Sequence, residues 1–440
     1  MEGADRKTVN MLFYTTHITP RIQYMVQYMN QQLGVEAVVT DDAELYRSHR
    51  SEKINYSAAR ILDEEFWMAP VGLLSSAGVQ KQAISCFTWQ GLPAFFATDD
   101  DLGFDWLAAS FFLITRYEEY LEHEPDAYGR YAHHNSTAWN CGFLQRPLVD
   151  EWTERLRRLL KQKFPLLTFS SPSFHLLPTY DIDIAWSYRH KGFWRTLGGI
   201  IRQPNSVVKR IQVLAGRRQD PYDALLSIAA LHREYSCRPL TFFLAADHRS
   251  ELDKNVDPHS KAFHSLVLQF AEFSDIGVHP SDFSNTHQEY LVREKNTLEA
   301  CLKKTIYRSR HHYLKIHLPH SYRTLLQAGI TDDYTMGYGT VNGFRASTSR
   351  SFYWYDLEAE AVTPLRVHPP AWMEANSYYE LHQKPEEAFA ELNKLYEQVQ
   401  ATGGTFITVM HNHFLGTDEM YAGWGERYAE FIRNAASANK

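Results

Sequence analysis

The chain has 440 residues, 44% of them hydrophobic and 14% aromatic, which is enough apolar surface for two or three folded units and excludes gross disorder. With 45 basic and 52 acidic residues spread along it, the formal charge is -7. No basic block marks a nucleic-acid footprint, and no stretch approaches the roughly 20 apolar residues of a spanning helix.

In chain order, "NMLFYTT" reads as a short strand. Pro20 opens a helix that Gly34 terminates. "ISCFTWQGLPAFFA" gives two short strands broken by a turn, and "FDWLAASFFLITRYEEYLE" and "LVDEWTERLRRLLKQKF" have helical spacing. Residues 1–165 therefore form a mixed α/β accessory domain, and the stretch 166–176, which follows Pro165, a linker. From residue 177 to 440, strand and helix patterns alternate. "HLLPTYDIDI", "PLTFFLAAD", "DIGVHPS", "YLKIHLP", "GFRAS", "PLRVHP" and "TFITVMHN" are the strands, and alternation of this kind predicts a largely parallel sheet, open or closed. The four cysteines are widely spaced, with no CxxC pair, and read as free thiols in a reducing compartment. The opening residues carry no leader-like apolar run, so a cytoplasmic location is expected.

Polar residues cluster at the C-terminal ends of these strands: Asp181, Asp183, Asp247, His279, Arg345, His368, and His411 with Asn412. Parallel architectures collect such ends on one face and build sites there. Asp181 and Asp183 share a strand face and suit a proton acceptor beside a metal ligand, or two carboxylates that cap backbone N–H groups. His279 ends an apolar run and suits a ligand or a strand-end hydrogen bond. Of His311 and His312, neighbours that face opposite ways, His312 is favoured for the site. Gly343 frees the backbone before Arg345, which either orients a carboxylate or covers the aromatic run Phe352–Tyr355; those aromatics either line a ligand or belong to the core. His411 is placed to donate a proton, with His413 the second choice.

"TYDIDIAWSYRHKG", "GVHPSDFSN", "SRHHYLK", "DYTMGYGTVNGFRA", "LRVHPPAWME" and "MHNHFL", together with "TPRIQYM" and "RYEEY", resemble the polysaccharide deacetylase (NodB-homology) superfamily, in a bacterial branch with an additional N-terminal domain. The resemblance implies a distorted (β/α) barrel of seven strands. It also implies a divalent metal, commonly zinc, and removal of N-acetyl groups from a carbohydrate or saccharide precursor. By the same resemblance Asp181 is the base, Arg345 holds that base, His411 is the acid, and Asp183 and His279 are metal ligands. One departure stands out. A second metal histidine is expected four residues after His279, where Phe283 stands. His312 is the candidate replacement and His287 the poorer one. Glu374 stands where it would support Arg345 or His411. Hydrolysis of O-acetyl esters or of another non-peptide C–N bond needs nearly the same residues. A catalytically inactive carbohydrate-binding or regulatory protein is the alternative that Phe283 favours.

Overall fold

The structure is a computed structural model that describes residues 11–170, 172–192, 206–235, 237–248, 250–285 and 287–438. The opening ten residues, read above for a leader, lie outside these.

A four-stranded sheet begins the fold. Its strands β1 (Met11–Thr15), β2 (Ala37–Thr40), β3 (Glu52–Tyr56) and β4 (Phe66–Met68) are all parallel and run in the order β2-β1-β3-β4. The helix Pro20–Leu33 follows β1 as expected. Thr19 caps it by accepting from Ile22 N, Pro20 occupies its first turn, and left-handed Gly34 ends it. A hairpin of β5 (Phe87–Trp89) and β6 (Leu92–Ala94) and the helices Trp106–Ile114 and Leu148–Lys163 complete this region.

Nine further strands make the second sheet. These are β7 (Phe174–Ile182), β8 (Leu240–Phe243), β9 (Asp275–Val278), β10 (Arg308–Ser309), β11 (Asp332–Asp333), β12 (Phe352–Asp356), β13 (Ala361–Val367), β14 (Trp372–Met373) and β15 (Gly404–His411). Their order is β12-β13-β11-β10-β9-β8-β7-β15-β14. All neighbours are parallel except β12, which runs antiparallel to β13. The sheet curves strongly. Phe242 of β8 and Ile407 of β15 pack in one cluster with Tyr334, just beyond β11. Leu314, after β10, meets Met373 and Val409 in another.

Several expectations need correction. The sheet has nine strands where seven were expected: the short strands Arg308–Ser309, Asp332–Asp333 and Trp372–Met373 belong to it, and the aromatic run Phe352–Asp356 adds an antiparallel edge strand. Three of its four rings are core: Phe352, Trp354 and Tyr355 are buried, and Tyr355 packs on Tyr24 and Phe111 with ring centroids 5.1 and 5.3 Å apart, while Tyr353 is exposed. "YLKIHLP" is not a strand. The strand lies just before it, at Arg308–Ser309, so Arg310 and His312 follow a strand end. "GFRAS" forms turns, and Gly343 has φ +146° where a Cβ would lie 2.5 Å from Leu144, so both conformation and space require glycine. Cys86 and Cys141 form a disulfide, while Cys237 and Cys301 are free thiols. The four-free-thiol reading fails for that pair, and with it the argument for a reducing compartment. Among the described residues no helix is long and apolar enough to cross a membrane.

The two sheets share one apolar core. Polar contacts join them as well: buried Asp150 accepts from Thr348 Oγ1 (2.5 Å) and from the Ser349 amide (2.8 Å).

Candidate metal centre

Parallel register sets the site. Asp181 of β7 pairs with His411 of β15, and Met373 of β14 pairs with Val409 of β15, which puts Glu374 beside the end of β15. On the other side of β7, Val278 of β9 pairs with Phe243 of β8 and with Ser309 of β10. His279, Arg310 and His312 thus leave the sheet on the face where Asp181 and Asp183 leave it.

Three histidines converge on Asp183. Nε2 of His279 lies 3.0 Å from Asp183 Oδ1, while Nε2 of His312 and of His411 lie 3.2 and 3.3 Å from Oδ2. Each ring is held from behind through Nδ1. His279 donates to the Arg310 carbonyl (2.5 Å), His312 to Asp253 Oδ1 (3.0 Å) and His411 to Glu374 Oε1 (2.6 Å). For His279 and His312 this leaves Nε2 as the lone-pair donor of a neutral ring, the arrangement found behind metal-bound histidines. Burial opposes charge on His411, but Glu374 and Asp183 hold its imidazole well above the ordinary value, which keeps a proton on Nε2 as well.

Asp183, His279 and His312 offer ligand atoms all within 4.8 Å of one another. The donor set fits a divalent cation. Bonds of about 2.0–2.2 Å to one ion put two tetrahedral donors about 3.3 Å apart, close to the separations seen. Asp183 Oδ1 and His279 Nε2 are moreover buried and 3.0 Å apart without hydrogen-bond geometry between them. A shared cation would satisfy both atoms. Without an ion, the buried carboxylates draw positive charge to this point. Burial opposes charge on Asp183, but His312, His411 and His279 outweigh it and hold the carboxyl well below the usual carboxylate range. Burial likewise opposes charge on His312, yet Asp183 and Asp253 push it up to about 9.

Asp181 sits beside this group, its Oδ2 3.9 Å from His279 Nε2. Its Oδ1 accepts from Arg310 Nη1 (2.9 Å), which also donates to Thr179 Oγ1 (2.7 Å). Arg345, expected there, is elsewhere: its Nε and Nη2 donate to both oxygens of Glu119 at 2.8 and 2.6 Å, tying the second sheet to the accessory region. Arg345 has the chemistry expected of it but a different carboxylate, Glu119 in place of Asp181.

The other expected residues are also placed. Glu374 supports His411 and not Arg345. His413 is buried next to His411, and burial together with His411 pushes its imidazole down to about 3. Asn412 donates to the carbonyls of Ile184 and Tyr222, a structural task. His368 binds Asp332 (2.8 Å) and stacks on Tyr334, and Asp247 is exposed. His287 heads the helix Gln288–Leu302, and Phe283 packs against His248 and Tyr290. Sequence reasoning missed two residues. Arg310 carried the signal of adjoining His311 and His312, whereas Asp253 lies in a polar loop with no local signal at all.

A cleft of ≈ 480 Å³ opens over the centre, lined by Asp181, Asp183, His279, His312 and His411 and by a ring of tyrosines.

Residues 11–165 match a family of unknown function (DUF7033). No curated protein matches the chain. Among solved structures, the chain is distantly similar to polysaccharide deacetylases. A putative polysaccharide deacetylase from Mycobacterium smegmatis is 12% identical, with 61% of this chain and 85% of that one covered at a TM-score of 0.42. A family 4 carbohydrate esterase from Streptomyces lividans in complex with acetate is 10% identical, covering 60% and 89% at 0.30. A CE4 family pseudoenzyme from Bacillus anthracis is 8% identical, covering 61% and 66% at 0.30.

Proposed function

We propose that the chain is a metal-dependent hydrolase that removes acetyl groups from a carbohydrate or saccharide precursor. The observation that carries this reading is the flanking of one Asp–His–His group by two differently equipped side chains, Asp181 on Arg310 and His411 on Glu374. A general base and a general acid on either side of a Lewis-acid position is the equipment that acyl transfer to water needs.

Asp183, His279 and His312 would hold the ion, and two nitrogens with one carboxylate oxygen suit zinc. When bound, the ion polarises the acetyl carbonyl and acidifies water. Asp181, whose Oδ1 is occupied by Arg310, takes the proton of the attacking water on Oδ2. His411, its Nδ1 fixed by Glu374, presents Nε2 to the leaving nitrogen and gives it a proton as the C–N bond breaks. Acetate and a free amine result. An ester would leave by the same route as an alcohol. The positioning task expected of Arg345 passes to Arg310 in this scheme.

Metal content of the purified chain, set against Asp183→Ala and His279→Ala, tests the centre. One equivalent of divalent ion in the parent and well below one in both variants is expected. Unchanged stoichiometry in both would remove the assignment. Metal binding without acetate release would favour a carbohydrate-binding protein.

A further inference from the structure

The accessory region reaches into the cleft. Tyr128 and Arg130, both within residues 11–165, line it together with Tyr313, the residue after the candidate ligand His312. Arg130 is only 4% exposed. Its Nε donates to Asp126 Oδ2 (2.6 Å) and its Nη1 crosses to the second sheet's side to donate to the Tyr313 carbonyl (2.8 Å). The Arg130 guanidinium also lies over the Tyr128 ring, 4.9 Å from its centroid, and Tyr128 stacks on Tyr313 at 5.0 Å with 29° between planes. Tyr313 in turn abuts the His312 ring at 4.5 Å.

This wall is held at some cost to the backbone. Tyr313 and Leu314 are both left-handed, at φ +60° and +50°, a conformation that side chains larger than glycine's rarely adopt. Strain of this sort persists only where the surroundings enforce it, and here Arg130 supplies the enforcing hydrogen bond. Space for the guanidinium comes from Gly339, where a Cβ would lie 1.8 Å from Arg130 Nη1. Three separate segments are thus shaped around one contact. Tyr128 is 38% exposed, so the contact is not sealed into the core. Tyr222, Tyr379 and Tyr421 also line the cleft.

We infer that Tyr128 and Tyr313 form a saccharide-binding wall of the cleft and that Arg130 is its positioning residue, which gives the accessory region a direct part in substrate recognition. The inference rests on the function proposed above. A pyranose ring offers C–H groups and hydroxyls together, and tyrosines offer an apolar ring with a polar tip. The wall begins one residue from His312, so a sugar bound there lies next to the metal centre.

Calorimetric titration with N-acetylglucosamine oligomers of one to five residues tests this, in an Asp181→Asn background so that nothing turns over. Tyr128→Ala should weaken the tightest-binding oligomer by about tenfold, as expected for losing an aromatic contact, and Tyr128→Phe should restore most of the affinity. Arg130→Lys, which keeps the charge but not the flat guanidinium, should weaken binding as well. One equivalent of metal should remain in all three. Parent-like affinity in Tyr128→Ala, loss of metal in that variant, or no binding of any oligomer by the parent would overturn the inference. Acetate release by the unsubstituted chain is measured separately, so failure of the proposed function is read apart from failure of the wall.

Discussion

Asp253 Oδ1 lies 3.0 Å from Nδ1 of His312, and Nε2 of the same ring lies 3.2 Å from Asp183. A loop carboxylate thereby aims the histidine proposed as the ligand in place of the one expected at position 283. Loss of such a carboxylate typically weakens metal binding by about 10–100-fold. Asp253→Ala should show that loss in competition with a chromophoric chelator while still binding one ion at saturation. Affinity equal to that of the parent would mean that His312 needs no such support.

Phe283 itself is predicted to be irrelevant to the ion. Its ring packs 4.6 Å from His248 and 5.8 Å from Tyr290, and it does not line the cleft. Phe283→His should leave metal stoichiometry and affinity as they are. A tighter or second ion in that variant would show position 283 within reach of the centre.

The two buried arginines should separate cleanly. Arg310→Met leaves buried Asp181 without its arginine, and breaking such a pair costs about 3–5 kcal/mol; Arg345→Met removes one of two arginines from Glu119, which keeps Arg116 Nε at 2.7 Å, so its loss should be smaller. Both variants should unfold at lower urea. Only Arg310→Met should also abolish acetate release in protein that remains folded, because Arg345 touches neither Asp181 nor the metal group. Equal loss of turnover in both would return Arg345 to the role first expected of it.

That exchange of roles marks what the sequence could reveal. Asp181, Asp183 and His279 were legible because each ends an apolar strand, and strand ends of a parallel sheet converge whatever the strand count. His411 was legible for the same reason. Arg310 and Arg345 were not distinguishable: both are arginines in mixed segments, and which one reaches Asp181 depends on sheet curvature that no local pattern encodes. "YLKIHLP" misled because its alternation mimics a strand, while the contact with Arg130 fixes Tyr313 and Leu314 in a left-handed turn. The run Phe352–Asp356 was read for its aromatic rings, so its place as an edge strand was missed, and the two-residue strands Arg308–Ser309, Asp332–Asp333 and Trp372–Met373 are too short to leave a pattern.

A pH effect on stability follows from His232, away from the metal centre. Its Nδ1 donates to the Cys237 carbonyl (2.8 Å) and its Nε2 accepts from Tyr180 Oη (2.6 Å), so the ring is neutral in place. Burial pushes it down to about 4, from an ordinary value of 6.5. Between these values the unfolded chain binds the extra proton, so stability is full above about pH 6.5 and declines as pH falls towards 4. At pH 5 the loss from this group is about 2 kcal/mol. In urea titrations at pH 7 and pH 5, His232→Gln should lose less stability on acidification than the parent by about that amount. An equal loss in both would mean that His232 is not held neutral.

The most direct test of the central claim is acetate released from N-acetylated saccharides by zinc-loaded chain, compared with Asp181→Asn loaded to the same stoichiometry. Release by the parent that a chelator abolishes, and none by Asp181→Asn with its metal still bound, is the predicted result. Metal-loaded parent that releases no acetate from any amide or ester of the series, or an Asp181→Asn variant that matches it, would contradict the account.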